Sequence, residues 1–390
     1  MMAFTKRTAK LKPEGAYQVL ARAQQLEAEG RDIIHLEIGQ PDFETFAKVS
    51  RAGIKAISEG HTRYTPPAGM PELRKAIAFD AGLRRGMEIS PENVVVSPGA
   101  KPNLFFPTLA LVEPGDEVIY PNPGFPTYEA MIGVAGGTAV AVPLLEENDF
   151  SFDLEAFGRV INDHTKLIIL NSPGYPTGGM IPRKDLKHIA EAAQRYDCWV
   201  LSDEIYSRIV FDEADAFSIA ALPGMQERTV IVDGFSKTYS MTGWRLGFGI
   251  MPEALAGRVE LLLTHSVGST AHFTQYAGIE AISGPQDQVK DVVKEYRRRR
   301  DLVVDGLNRL PGIRCQKPLG AFYAFPNIKS HGRSSAEMAN FFLEQAGVAL
   351  LPGSAFGSYG EGYLRLCYAN SAENIGKALA RMEAALQAQG

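Results

Sequence analysis

Between residues 93 and 251, short and almost unbroken apolar runs alternate with amphipathic stretches, and this alternation constrains the fold more than any other feature. "NVVVS" (93–97) precedes "KPNLFFPTLALV", and "EVIYP" (117–121) precedes "PTYEAMIGVAG". "TAVAVPL" (138–144) precedes "DLEAFGRVI", and "KLIILN" (166–171) precedes "DLKHIAEAAQRY". "CWVLSD" (198–203), "TVIVDG" (229–234) and "RLGFGIM" (245–251) complete the set. Strands that are apolar on both faces need cover on both faces. The pattern therefore predicts an α/β fold: a mostly parallel seven-stranded sheet with helices on either side. The link from 237 to 244 is too short for a crossover helix, so the last strand is expected to run antiparallel.

Beyond this region the period changes. Val289, Val292, Tyr296, Val303, Leu307 and Leu310 keep a three-to-four spacing that predicts one long helix. "RCQKPLGAFYAFP" and "YLRLCYA" read as strands. A closing helix is expected to start at Asn370, with Glu373 at capping-box spacing and Ile375, Leu379, Met382 and Leu386 on one face. A chain of 390 residues is too long for one simple core. We expect a large ligand-binding domain over 45–285 and a smaller α+β domain over 286–390, joined by residues 1–44 as an N-terminal arm.

The bulk numbers exclude several function classes. A net charge of −5 gives no field to draw nucleic acid or an anionic membrane. No stretch reaches membrane-spanning length. Cys198, Cys315 and Cys367 are scattered and odd in number, which suits a reducing, cytoplasmic setting and offers no zinc spacing; no metal is expected. No GxGxxG follows a strand, and neither a Walker A lysine motif nor HExxH occurs. "GFSKT" starts like a nucleophile elbow, but Thr238 stands where the second glycine is required.

Ligands of open α/β sheets gather at the carboxyl ends of the strands. There the chain carries "SPGAK" (97–101), "PNPGF" (121–125), "NSPGYPTGG" (171–179), "SDEIY" (202–206) and "DGFSK" (233–237). Each residue has an ordinary reading. Gly99 could simply begin a helix, Phe125 and Arg245 could belong to the interior, and Lys237 could reach out to solvent. Asp203 at the end of an apolar strand needs a cationic or donor partner. Together, however, these segments supply an anion anchor, a flat aromatic, an acid, a phenol and an amine. Pyridoxal 5′-phosphate requires that set, with a lysine to join its aldehyde and an acid at its ring nitrogen. Lys237 has no charged neighbour downstream before Arg245, and desolvation on an apolar turn would leave more of its amine free.

With these residues in place, the sequence resembles the class I/II aminotransferases of the aspartate aminotransferase fold, fold type I of the pyridoxal-phosphate enzymes. "IGQPDF" (38–43), "YTPPAGMPELRKAI" (64–77), "PGDEVIYPNPGFPTY" (114–128), "SKTYSMTGWRLGF" (236–248) and "YLRLCYA" (363–369) carry the likeness over nearly the whole chain. The resemblance implies that Lys237 holds the cofactor and moves the proton at the substrate Cα. It implies Asp203 at the pyridine nitrogen, Tyr206 and Tyr175 at the ring hydroxyl, and Phe125 on the ring face. Ala100, Lys101, Ser236 and Arg245 would bind the phosphate, with Tyr64 reaching it from the other subunit of a homodimer with shared active sites. Arg365 would clamp the substrate carboxylate, beside Gly39 and Tyr175.

The chain departs from the family twice: Tyr175 replaces the asparagine of "N-P-T-G", and Gly234 replaces a serine three positions before the lysine. The expected reaction is amino-group transfer from an α-amino acid to a 2-oxo acid. The alternative is another pyridoxal enzyme on this fold, a β-lyase or an oxygen-using amino acid enzyme. "HSVGSTAHF" (265–273) offers no arginine for a distal carboxylate, so a strong dicarboxylate preference is not expected.

Overall fold

The computed structural model describes residues 5–9, 11 and 15–388; the rest of the expected N-terminal arm and the last two residues lie outside the described residues. Its centre is an eight-stranded sheet. In chain order the strands are β1 (Val94–Ser97), β2 (Glu117–Asn122), β3 (Thr138–Leu145), β4 (Ser151–Phe152), β5 (Thr165–Asn171), β6 (Trp199–Asp203), β7 (Thr229–Gly234) and β8 (Gly247–Ile250). They lie side by side as β1-β8-β7-β6-β5-β2-β3-β4. The pairs β2–β3, β2–β5, β5–β6 and β6–β7 are parallel. As its short connection requires, β8 is antiparallel to both of its neighbours. The eighth strand, β4, is only two residues long, below the length at which apolar alternation is visible.

Successive side chains of a strand face opposite ways, and here both ways are interior. Val94 and Val96 pack with Leu73 and Ile77 of the Pro71–Arg85 helix, whereas Val95 packs with Leu104 and Val259 from helices on the other face. All three valines are almost wholly buried, which is why the run carries no polar alternation.

A second unit follows. The Asp287–Leu307 helix buries Val289, Val292, Tyr296, Val303 and Leu307; Leu310 is buried beyond its end. Tyr323–Ala324, Leu364–Cys367 and Leu351–Pro352 form a small antiparallel sheet. Ile34–His35 pairs in parallel with Val348–Ala349, which sews the N-terminal segment onto this unit. The closing helix, Ala372–Gln387, is capped by Ser371, whose hydroxyl accepts from the Asn374 N–H, and not by Asn370. Asn370 instead donates through Nδ2 to the His35 carbonyl, so tertiary pairing claims its side chain. No helix among the described residues is long and apolar enough to cross a membrane.

Candidate active site

The carboxyl ends of β5, β6 and β7 open into a cleft of about 770 Å³. Parallel register sets Asn171 beside Asp203 and Asp203 beside Val232, so β5 and β6 stop at one level and β7 runs two residues further. Asp203 is 6% exposed. The Tyr128 hydroxyl donates to its Oδ2 at 2.7 Å, and the Ile205 N–H donates to Oδ1 at 3.3 Å. The partner that burial demands is thus a phenol rather than a cation. Burial outweighs these two donors and pushes the carboxyl up to about 6. Asn171 works in the scaffold: Nδ2 donates to the Asp203 carbonyl at 3.0 Å, and Oδ1 accepts from the Tyr175 N–H at 2.7 Å.

Lys237 turns inward. Its Nζ donates to the Gly39 carbonyl at 2.7 Å, and burial lowers the ammonium to about 8, helped by the nearby charges of Arg365, Arg245 and Lys101. A large fraction of such an amine is unprotonated just above neutral pH.

One end of the cleft is built on the start of the Lys101–Leu111 helix, whose positive dipole end suits an anion; Pro102 carries no N–H, and the Asn103 N–H donates to the Ala100 carbonyl at 2.9 Å. Arg245 adopts φ 53°, a left-handed conformation costly for an arginine, and its Nη1 donates to the Thr242 carbonyl at 2.9 Å. Its guanidinium lies so close to Gly99 that a Cβ there would sit 2.2 Å from Nη2. Gly99, at φ +82°, is the residue that lets this cation approach the helix end. Gly234 is less tightly constrained: a Cβ would meet the Gly247 Cα at 3.1 Å and the Leu246 carbonyl at 3.3 Å, so the serine of the family pattern would need these neighbours to give by a few tenths of an ångström.

The opposite wall holds Arg365, which is fully buried. Nη2 donates to the Glu37 carbonyl at 2.7 Å and to the Tyr175 hydroxyl at 3.3 Å, whereas Nε is buried without a hydrogen-bond partner. Tyr323 completes the wall. Its hydroxyl lies 2.8 Å from that of Tyr206, and a Cβ on Gly39 would strike it at 2.4 Å. Burial holds both phenols well above their usual range, so both are neutral.

Gly39, Ala100, Lys101, Phe125, Tyr175, Asp203, Tyr206, Ser236, Lys237, Arg245 and Arg365 all line this one cleft. Tyr64 does not. It is 97% exposed on the chain's surface. Sequence reasoning missed Tyr128 and Tyr323. Tyr128 is three residues after Phe125, across the turn that leads into the Thr127–Ala135 helix, and that spacing was its available signal. Tyr323 carried no signal beyond lying in a short apolar run.

Residues 31–382 match the family aminotransferase class I and II. An aspartate aminotransferase of Pyrococcus horikoshii is 39% identical over 374 residues, covering 95% of this chain and 94% of that protein. An aspartate aminotransferase from Thermus thermophilus, solved with maleate, superposes with a TM-score of 0.94 at 36% identity, covering 99% of this chain and all of that one. An aromatic aminotransferase structure from Pyrococcus horikoshii gives a TM-score of 0.90 at 39% identity, covering 95% of this chain and 99% of that one.

Proposed function

As a member of the class I and II aminotransferases, to which this chain belongs, it transfers amino groups, and we propose that it does so with pyridoxal 5′-phosphate held in the strand-end cleft of a homodimer. The observation that carries this reading is the delivery of Lys237 and Asp203 by neighbouring parts of one sheet into a single cleft, facing Arg365. The residues fit the group. The helix start at Lys101 with Ser236 and Arg245 suits a phosphate, Phe125 offers a ring face, and the buried Nε of Arg365 awaits an acceptor.

Bound there, the cofactor would supply an aldehyde to carry the amino group and a protonated ring to draw electron density from the substrate Cα. Asp203 then keeps a proton on the ring nitrogen, since an ionised carboxylate beside it favours the charged form. Lys237, whose ammonium burial lowers to about 8, would take and hold the proton from the substrate Cα. Tyr206 donates to the ring hydroxyl. Arg365 orients the substrate carboxylate, with the Tyr175 hydroxyl beside it and Gly39 close by.

The second subunit would bring Tyr64 to the phosphate. Its 97% exposure supports this, as do exposed Ile54, Ile57, Phe79 and Leu83 on the Ala47–Ser58 and Pro71–Arg85 helices. A fully active particle of one chain mass by light scattering would remove this part of the reading.

Borohydride reduction of the cofactor-loaded protein followed by peptide mapping tests the core of it. The label should fall on Lys237, and Lys237→Ala should lose both label and turnover; label on another lysine refutes the assignment. Incubation with an amino acid alone should release one equivalent of 2-oxo acid per site without ammonia. Ammonia release would point to a lyase.

A further inference from the structure

Two buried carboxylates next to the site have no place in the reaction just described. Glu204 follows Asp203 directly and Asp233 precedes Lys237 by four residues; each is 4% exposed, and neither lines the cleft. Both are held by Arg85, the last residue of the Pro71–Arg85 helix, whose side chain is 3% exposed. Arg85 Nε donates to Glu204 Oε2 at 2.8 Å, and Nη2 donates to Asp233 Oδ2 at 3.0 Å.

The remaining carboxylate oxygens are also served. Glu204 Oε1 accepts from the Ser202 hydroxyl at 2.9 Å and the Ser218 hydroxyl at 2.6 Å, and Asp233 Oδ1 accepts from the Gly234 N–H at 2.7 Å. Arg84 reaches Asp233 at 3.4 Å and Asp80 at 3.0 Å, and Arg208 closes on Asp80 at 2.6 Å. Three guanidinium groups thus balance three carboxylates. Burial alone would lower the Arg85 guanidinium, yet Glu204 and Asp233 hold it above its ordinary range.

The placement of this bridge matters more than its strength. β6 and β7 run side by side as a parallel ladder, which a further backbone bond from the Glu204 N–H to the Val232 carbonyl at 2.8 Å extends past the end of β6. Arg85 adds a cross-link between side chains, and a planar guanidinium fixes their separation as a flexible ammonium could not. We propose that Arg85 is a positioning residue for the cofactor site: it locks together the strand ends that carry Asp203 and lead to Lys237, and it neutralises the two carboxylates that would otherwise repel an ionised Asp203. This rests on the pyridoxal-phosphate reading.

The groups facing Asp203 set the sign of the test. Tyr128 and the Ile205 N–H donate to it, whereas Asp233 from β7 and Glu204 beside it disfavour its charge; Tyr206 lies in the following turn as a neutral phenol. Without Arg85, Glu204 loses its guanidinium partner and Asp233 keeps only the Arg84 guanidinium at 3.4 Å, so both disfavour the Asp203 charge more strongly and Asp203 takes up a proton at higher pH. A protonated Asp203 no longer holds the protonated ring nitrogen, so the cofactor should leave.

The experiment follows the visible band of the protein loaded with pyridoxal 5′-phosphate, measured after desalting at steps from pH 8 to pH 4. Retention by the native protein at pH 8 tests the cofactor reading separately. In Arg85→Met the midpoint of retention should rise by about one pH unit, and in Arg85→Lys by less. Glu204→Gln removes a repelling charge and keeps the hydrogen-bonding shape, so its midpoint should fall. A lower melting temperature with an unmoved midpoint would make Arg85 a structural brace only and overturn the proposal. Should Arg85→Met fail to fold, Glu204→Gln decides alone: an unmoved or higher midpoint overturns it.

Discussion

The floor and the far wall of the cleft solve opposite problems. On the floor, Asp203 and Lys237 are groups that could be neutral, and burial moves each towards its neutral form: the acid up to about 6, the ammonium down to about 8. On the wall, Arg365 cannot be neutralised, and burial serves to orient it. The Glu37 carbonyl and the Tyr175 hydroxyl hold the guanidinium, and Nε is left without a partner. The floor tunes protons; the wall aims a permanent charge. Substitutions of the ionisable groups should therefore behave differently on the two sides.

Asp203→Asn should break the floor most severely. A neutral amide cannot keep the ring nitrogen protonated, and a positioned acid–base group is worth about 10²–10⁴-fold in rate. A loss below about tenfold, about 1.4 kcal/mol of barrier, would count against the assigned role. The same substitution should stabilise the cofactor-free protein. Between pH 3.8 and about 6 the folded protein keeps an Asp203 proton that the unfolded chain has already lost. Stability therefore falls as pH rises through about 6, by an amount on the order of 3 kcal/mol. At pH 8 the variant should melt above the native protein, and below about pH 4 the two should coincide. A lower melting temperature at pH 8 would mean that the carboxylate is not a cost to the fold.

Arg365→Lys should act on the wall with the sign of a lost contact only. An ammonium replaces a planar fork, and the buried carbonyl and hydroxyl acceptors lose part of their donor set. Disrupting a buried, hydrogen-bonded charge pair costs about 2–5 kcal/mol; with the charge kept, the lower end applies, about 30-fold in kcat/KM through KM. Melting of the cofactor-free protein should not rise at any pH. An unchanged KM for every amino acid tried would move the carboxylate clamp elsewhere.

This difference also decided what the sequence made legible. The floor was readable because Asp203 ends an apolar strand and Lys237 lies three residues beyond the end of another, and strand ends of a parallel sheet converge whatever the rest of the chain does. The strand pattern therefore located Asp203 and Lys237 before any resemblance was invoked. The wall has no such local marker. The partners of Arg365 lie 328 and 190 residues away in sequence, and one of them is a backbone carbonyl, which no residue type announces. Asn171 shows the same limit from the other side. It ends a strand at the site, yet its amide is spent on the Asp203 carbonyl and the Tyr175 N–H, a role that only the fold reveals.

Tyr128→Phe gives the smallest expected effect and the sharpest test of how the floor is tuned. The Tyr128 hydroxyl donates to Asp203 Oδ2 at 2.7 Å, and this bond favours the ionised carboxylate against a larger opposing effect of burial. A hydrogen bond to a charged group is worth about 1.5–3 kcal/mol, so its loss should raise the Asp203 carboxyl by about one unit. In the cofactor-free protein the window in which the folded state holds an extra proton then widens at its upper end. The variant should lose stability relative to the native protein as pH rises above about 6, and match it near pH 4, where Asp203 is protonated in both folded proteins. Phenylalanine keeps the ring that packs edge-on against Phe125, at 5.7 Å between centroids, so a packing defect would instead lower melting equally at every pH. A pH-independent loss, or none, would mean that burial alone sets the charge of Asp203 and that the phenol is there only to fill space.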